Sequence, residues 1–301
     1  MAYVAFDLDN TLGFFELTNS FAFLWSPDFL ENPEQSAPNA QLEISSTLNK
    51  KLTKARETFA AELLKDPQLL STVLRTNLDD MILPLLKADV KGVIIYSNTG
   101  VTYSMELAKY LIEHKYNCPG FIKLMADHWH PLRVADRPRY VPEGRYVQPE
   151  KTIKTLQLLF RSATGVAPPP SDILFVDDRT PKHKLEAQEA EGLTYIVPKA
   201  FYPTISNDQR RRILFVAFES LQRCGVFNEE YMASGFCNRN IPYHHTKKLK
   251  IDGFPALLGF VWKQVLGIEN HVWTEDKDLI AEFTTYLKKV KAHTNSAHDS
   301  E

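Results

Sequence analysis

The chain has 301 residues, 44% hydrophobic and 24% charged, with 35 Lys and Arg against 37 Asp and Glu. This is ordinary globular composition, long enough for one large or two modest domains, and a formal net charge of -2 argues against bulk electrostatic binding to nucleic acid or an anionic membrane. Cys118, Cys224 and Cys237 are odd in number and widely spaced, so neither a disulfide framework nor a zinc ribbon is indicated, and the pattern fits a reducing compartment. The first apolar run begins almost at Met1 with no charged leader, and no apolar run approaches the roughly 18 residues that span a bilayer. The expectation is a soluble intracellular protein, cytoplasmic with a nuclear site left open, and no membrane partner.

Tyr3-Val4-Ala5-Phe6 is an apolar run that ends in Asp7 and Asp9, carboxylates at i and i+2, followed by the turn residues Asn10 and Thr11. It predicts a buried strand delivering acids to its carboxyl end, although Asp-x-Asp also serves in calcium loops and plain polar turns. An aromatic stretch from Phe14 to Trp25 follows, read either as core packing or as a flap beside the acids. A segment rich in Pro, Asn and Ser then leads to two helical stretches, 47–65 and 67–87. Residues 26–88 read together as a mainly helical insertion.

Val93-Ile94-Ile95-Tyr96 is the next β-branched run, stopping at Ser97-Asn98-Thr99-Gly100 before a helix over 103–113. Residues 121–125 form a weaker strand candidate, and a Pro- and Arg-rich loop covers 127–149. Lys151 opens a helix reaching about residue 161. Ile173-Leu174-Phe175-Val176 is another buried strand, and it too ends in carboxylates, Asp177 and Asp178. A helix over 181–191 leads through Gly192 to a last strand at 194–197. Strands alternating with helices predict a Rossmann-like α/β fold, a parallel sheet with helices on both faces. Ligands of such sheets sit beyond the carboxyl ends of the strands. Beyond residue 200 the rhythm is helical, with a capping box at Ser206 to Gln209 and further helices at 255–265 and 274–292. The expected division is a catalytic core over 1–200, insertion included, and a helical C-terminal region over 201–301.

Phe6-Asp7-Leu8-Asp9-Asn10-Thr11-Leu12, Ile95-Tyr96-Ser97-Asn98, Lys151 and Val176-Asp177-Asp178 resemble, in order and context, the four motifs of the haloacid dehalogenase superfamily. The resemblance spans residues 3 to about 197. It implies a phosphomonoester hydrolase in which Asp7 attacks the phosphoryl group and Asp9 acts as general acid and base. It also implies that Asp7, the backbone carbonyl of Asp9 and one or both of Asp177 and Asp178 hold Mg²⁺, while Ser97, Asn98 and Lys151 bind the phosphoryl oxygens. An Asp at the position of Asp9 marks the phosphatases and phosphomutases of that superfamily, whereas its ion pumps carry Thr there. Lys154, one turn on, could face the same way as Lys151, and Ser97 could cap the turn that follows it.

Asp-Leu-Asp-Asn-Thr-Leu, Val-Asp-Asp-Arg and Tyr103-Ser104-Met105 are similar to the NLI-interacting-factor-like phosphatases that act on the RNA polymerase II C-terminal domain, with Ser97 where those usually carry Thr. The insertion resembles a cap of the kind that encloses small substrates. The expected partner is therefore a phosphorylated small molecule or phosphoprotein. Asp127-His128-Trp129-His130 lacks zinc spacing and reads as a polar loop. Arg133, Arg137, Arg139 and Arg145 read as solvated, or as contacts to a phosphorylated substrate. The runs Arg210-Arg211-Arg212 and 244–250 leave a nucleic-acid-end phosphatase as an alternative, not the favoured one, and no Walker-type loop accompanies them. A catalytically silent scaffold working through its C-terminal helices is the other alternative.

Overall fold

The computed structural model describes residues 2–19, 46–88, 90–99, 102–136, 139–140, 146–147, 151–179, 192–226, 240–243 and 247–250. In chain order they form β1 (Tyr3–Phe6), α1 (Glu16–Asn19), α2 (Ser46–Lys65), α3 (Pro67–Leu70), α4 (Asp79–Lys87), β2 (Gly92–Tyr96), α5 (Thr102–Lys115) and β3 (Ile122–Ala126). Then follow β4 (Arg139–Tyr140), β5 (Tyr146–Val147), α6 (Ile153–Thr164), β6 (Ile173–Val176), β7 (Thr194–Ile196), α7 (Asn207–Arg223), β8 (Asn240–Tyr243) and β9 (Lys247–Lys250). The aromatic stretch beyond residue 19, the helices expected at 181–191, 255–265 and 274–292, and Arg137, Arg145, Cys237, His244 and His245 lie outside the described residues. The described chain divides into two compact units, one of residues 2–14 and 74–203, the other of 15–73 and 204–250.

In the first unit five parallel strands lie in the order β3-β2-β1-β6-β7. Phe6 pairs with Ile95 on one side and Val176 on the other. The chain steps outward from β1 through β2 to β3, then crosses to the far side of β1 for β6 and β7. The order reverses between β1 and β6, and loops leaving such a reversal in opposite directions open a crevice at the carboxyl ends. This is a Rossmann-like α/β sheet.

Every residue of β1, β2 and β6 is buried, which is why these strands read as unbroken apolar runs rather than as alternating ones. Tyr3, Ala5, Ile94, Tyr96, Ile173 and Phe175 pack on Ile153, Leu156, Leu159 and Phe160 of α6. Those helix positions fall on one stripe at the 3.6-residue period. The helix starts two residues after Lys151 because Thr152 caps it, its Oγ1 accepting from Thr155 N at 3.2 Å. It ends at Gly165, whose φ of 81° suits a residue without Cβ.

The stretch expected as one helix over 67–87 is broken. Leu74 forms a bridge with Gly13, and Arg75 N donates to Leu12 O at 3.0 Å. Backbone engaged in those pairings cannot continue a helix, so α3 and α4 are separate elements.

The second unit brings together helices that lie far apart in the sequence. Leu48, Leu52, Ala55, Phe59, Ala60 and Leu63 of α2 are buried, as are Ile213, Leu214, Ala217 and Leu221 of α7, and the two helices pack on each other. Asp66 caps α3, accepting from Gln68 N and Leu69 N, and pairs with Arg212. Ser206 and Gln209 form the expected capping box of α7. Helical phase splits the run Arg210-Arg211-Arg212: Arg210 is buried and donates to Ile205 O, whereas Arg211 and Arg212 are exposed. The run is therefore not a continuous basic patch. β8 and β9 pair antiparallel. Among the described residues no helix is long and apolar enough to cross a membrane.

Phe160 is fully buried, and its ring meets that of Tyr3 edge-on at 5.3 Å. Phe160→Ala is expected to lower the unfolding free energy by about 3–5 kcal/mol, read as a shift in denaturant midpoint; a change below about 1 kcal/mol would contradict this packing.

Candidate active site

Three polar residues follow the central strands directly. Asp7 follows β1, Ser97 follows β2 and Asp177 follows β6, and each backbone N–H still donates to the next strand, to Val176 O, Ala126 O and Ile196 O at 2.8, 3.0 and 3.1 Å. Backbone pairing thus continues one residue past the apolar run. The three side chains are held at the mouth of the crevice, buried to within 5% of full cover.

Lys151, just before the cap of α6, reaches this group. Its Nζ lies 2.5 Å from Asp7 Oδ1 and 2.7 Å from Asp177 Oδ2. Lys154 is exposed, so of the two lysines it is Lys151 that the structure brings to the acids. Asp178 is tied in through Thr11, whose Oγ1 donates to Asp178 Oδ1 at 3.1 Å and accepts from Asp178 N at 2.9 Å. One hydroxyl therefore links the loop after β1 to the loop after β6.

Oxygen atoms of Asp7, Asp177 and Asp178 all lie within 4.8 Å of one another. The carboxylate of Asp9 is not one of this group; Asp9 is half-buried in the following turn, beside Asn10, which takes a left-handed φ of 62°. Asn tolerates that conformation better than most residues. Ser97 Oγ accepts from Thr99 N at 3.2 Å, so the hydroxyl does cap its own turn, and its proton is not used in that bond. Asn98 Oδ1 is engaged by Arg133.

Three carboxylates facing one ammonium leave an excess of negative charge. Burial works to lower the pKa of Lys151, but Asp177 and Asp7 outweigh it and hold the ammonium above its ordinary value. The excess falls on the acids. Burial pushes the Asp7 carboxyl up against the pull of Lys151, with Asp177 adding to the rise, and burial together with the charges of Asp7 and Asp177 pushes Asp178 up to about 6. Converging hard oxygen donors with uncompensated charge fit a divalent cation such as Mg²⁺. Asp7, Asp177 and Asp178 are the side chains that would hold it.

Two buried arginines brace the loops from behind. Arg75, 1% exposed, donates through Nε to Thr11 O at 2.8 Å and through Nη2 to Asn10 O at 3.1 Å and to Lys199 O. Arg133, 0% exposed, donates to Ser97 O and Asn98 Oδ1 and lies over the Tyr96 ring at 4.5 Å. The expectation that Arg133 is solvated or touches substrate is thus corrected: it is enclosed, because the carbonyl groups it binds lie under the turn. Arg139 opens β4, where only the backbone is described. The sequence gives no local sign of either brace, since the carbonyls each holds belong to distant segments. His128 is likewise buried, its Nδ1 3.0 Å from Asn98 O, which places the His-Trp-His loop against the Ser97 turn.

No protein-family model matches the sequence, and no curated protein matches it. Among solved structures, the chain is similar to a D10N mutant of CbbY from Rhodobacter sphaeroides in complex with xylulose-(1,5)bisphosphate, at 17% identity over 67% of this chain and 87% of that one, with a TM-score of 0.36. It is also similar to a HAD-superfamily hydrolase, subfamily IA, variant 1, from Geobacter sulfurreducens, at 16% identity over 72% of this chain and 96% of that one, with a TM-score of 0.32. At such TM-scores the likeness is loose, and the architecture rests on the strand order and register given above.

The raised pKa of Asp178 has a sign that can be measured. A carboxyl titrating at about 6 when folded and near 3.8 when unfolded binds more protons in the folded state between those values, so its contribution to stability falls as pH rises from about 4 to 6. Without metal, Asp178→Asn should therefore raise stability at pH 7 by about 1–3 kcal/mol, discounted for partial exposure, and the gain should vanish below about pH 4. Mg²⁺ held by these acids should raise the melting temperature of the unaltered chain, and the same substitution should abolish that rise. Thermal melts at the two pH values, with and without Mg²⁺, check both.

Proposed function

We propose that the chain is a Mg²⁺-dependent phosphatase of the haloacid dehalogenase type, hydrolysing a phosphomonoester through an aspartyl-phosphate on Asp7. The observation that supports it most is the Lys151 ammonium seated between Asp7 and Asp177 at the sheet's reversal point, with Asp178 converging on the same space. A strand-end acid with a buried cation and two more acids is what nucleophilic attack on a phosphoryl group requires.

Bound by Asp7, Asp177, Asp178 and the carbonyl of Asp9, Mg²⁺ would neutralise charge on the phosphoryl oxygens as a Lewis acid. The Ser97 hydroxyl, whose oxygen is occupied by Thr99 N, donates its proton to a phosphoryl oxygen. Lys151 adds positive charge there and favours the ionised form of Asp7, opposing the burial that raises its pKa. Asp7 then forms a bond to phosphorus as the bond from phosphorus to the ester oxygen breaks. Asp9 gives its proton to the departing oxygen, so an alcohol leaves. In the second half a water attacks the same phosphorus and loses a proton to Asp9. The bond to Asp7 breaks, inorganic phosphate is released, and Asp7 and Asp9 return to their starting states.

The partner of this chemistry is a phosphorylated substrate. Its finer class is open between small molecules and phosphoserine proteins, the latter supported by the likeness of the Asp7–Leu12, Tyr103–Met105 and Val176–Arg179 sequences to the polymerase C-terminal-domain phosphatases. A panel of phosphometabolites, a phosphoserine peptide and a 3′-phosphorylated oligonucleotide separates these classes.

Turnover of p-nitrophenyl phosphate should require Mg²⁺, fall about 10³-fold or more in Asp7→Asn, and fall comparably in Lys151→Met, whereas Lys154→Met should leave it within a factor of about two. A BeF₃⁻ adduct should form on the unaltered chain and not on Asp7→Asn. Undiminished turnover in Asp7→Asn would falsify the assignment of the nucleophile.

A further inference from the structure

We propose that Arg133 and His128 are positioning residues that turn the Ser97–Thr99 segment into a donor-only anion-binding loop, by engaging the oxygens that would otherwise repel a phosphoryl group. The inference rests on the phosphatase reading above and concerns how that site grips its substrate.

The segment carries four carbonyl-type oxygens, and each meets a donor from residues 128–133. Arg133 Nη1 donates to Ser97 O at 2.5 Å and Nη2 to Asn98 Oδ1 at 2.6 Å. His128 Nδ1 lies 3.0 Å from Asn98 O, and His128 N donates to Thr99 O at 3.4 Å. A guanidinium can only donate, so the amide atom of Asn98 that faces it must be Oδ1, which leaves the NH₂ as that side chain's other polar group. A backbone carbonyl can only accept, so Nδ1 of His128 must carry the proton. Ser97 Oγ already accepts from Thr99 N. The hydroxyl proton of Ser97 is therefore a donor that the turn can offer an anion, with its carbonyl oxygens engaged from residues 128–133.

Charge adds to this. Arg133 is fully buried, and among the described residues no carboxylate lies within ion-pair distance of it; its other contact is the face of the Tyr96 ring. A buried cation without a counter-ion raises the potential of the turn it holds, and in a low-dielectric setting that favours an anionic ligand. His128 is kept neutral by burial, its pKa lying below the ordinary value, so it acts through its hydrogen bonds alone. Arg133 also rests on the ring of Tyr96, whose hydroxyl accepts from Thr152 N next to Lys151, which joins the turn to the lysine's segment.

The experiment uses the full chain with saturating Mg²⁺. For Arg133→Met and Arg133→Lys, KM for p-nitrophenyl phosphate and Ki for vanadate are measured below the melting transition, with the folded fraction fixed by circular dichroism. Both constants should rise about tenfold or more in Arg133→Met, the loss expected when buried acceptors lose a charged donor, and by less in Arg133→Lys, which keeps the charge without the fork. The Mg²⁺ concentration for half-maximal activity should not change, because the metal-binding acids follow other strands. A brace with no part in anion binding would lower only the active fraction, leaving KM and Ki as they are. Unaltered KM and Ki in folded Arg133→Lys overturn the proposal, and that variant decides the matter if Arg133→Met does not fold. Failure of the unaltered chain to turn over the ester or bind vanadate overturns the phosphatase reading itself, and so is distinguishable from failure of this one.

Discussion

The Lys151 ammonium, lodged between Asp7 and Asp177 at 2.5 and 2.7 Å, makes the rest of the crevice tenable. β1 and β6 are hydrogen-bonded neighbours in register, so acids that follow both strands are forced to within about one strand spacing, near 5 Å. Two buried like charges at that distance destabilise the fold unless a cation lies between them. Lys151 supplies it from a segment whose course is set by the Thr152 cap and by the apolar stripe of α6 against the sheet. The placement of one charge thus depends on packing several residues away. The ammonium offsets only part of the negative charge, and the remainder is charge that a divalent ion would offset.

The loops that carry these groups are stiffened from outside the crevice. Thr11 fastens the β1 loop to the β6 loop, Arg75 holds the carbonyls of Asn10 and Thr11, and Arg133 holds Ser97 and Asn98. Each arginine is a donor with several hydrogen atoms set against carbonyl oxygens, buried where water cannot compete. Bonds of that kind fix loop geometry before any ligand arrives, which is how a site avoids reorganising at the moment of reaction.

Most of the sheet was readable from sequence because its inner strands are buried on both faces: four or five apolar residues in a row, ended by a carboxylate or a serine, are hard to mistake. β3 was weaker and begins one residue later than its pattern indicates, since Lys123 is exposed and its ladder with β2 shifts register between Val93 and Ile94. The acids, Ser97 and Lys151 could be found because each stands at an element's end. The break between α3 and α4 could not, because what interrupts the helix is a pairing of Leu74 and Arg75 with Gly13 and Leu12, contacts absent from any local window. Arg133 was hidden for the same reason. An arginine in a polar loop looks solvated until the turn that covers it is known.

The second unit is discontinuous in the chain: α2 comes before β2, and its packing partner α7 comes after β7. During synthesis α2 therefore emerges with Leu48, Leu52, Phe59 and Leu63 lacking the helix that finally covers them, and it must wait until the whole parallel sheet has been made. Long-range pairings of this sort fold slowly, since the closure entropy is spent before the contacts return it. In the interval, the unmatched stripe of α2 is open to chaperones and to association with other copies of itself.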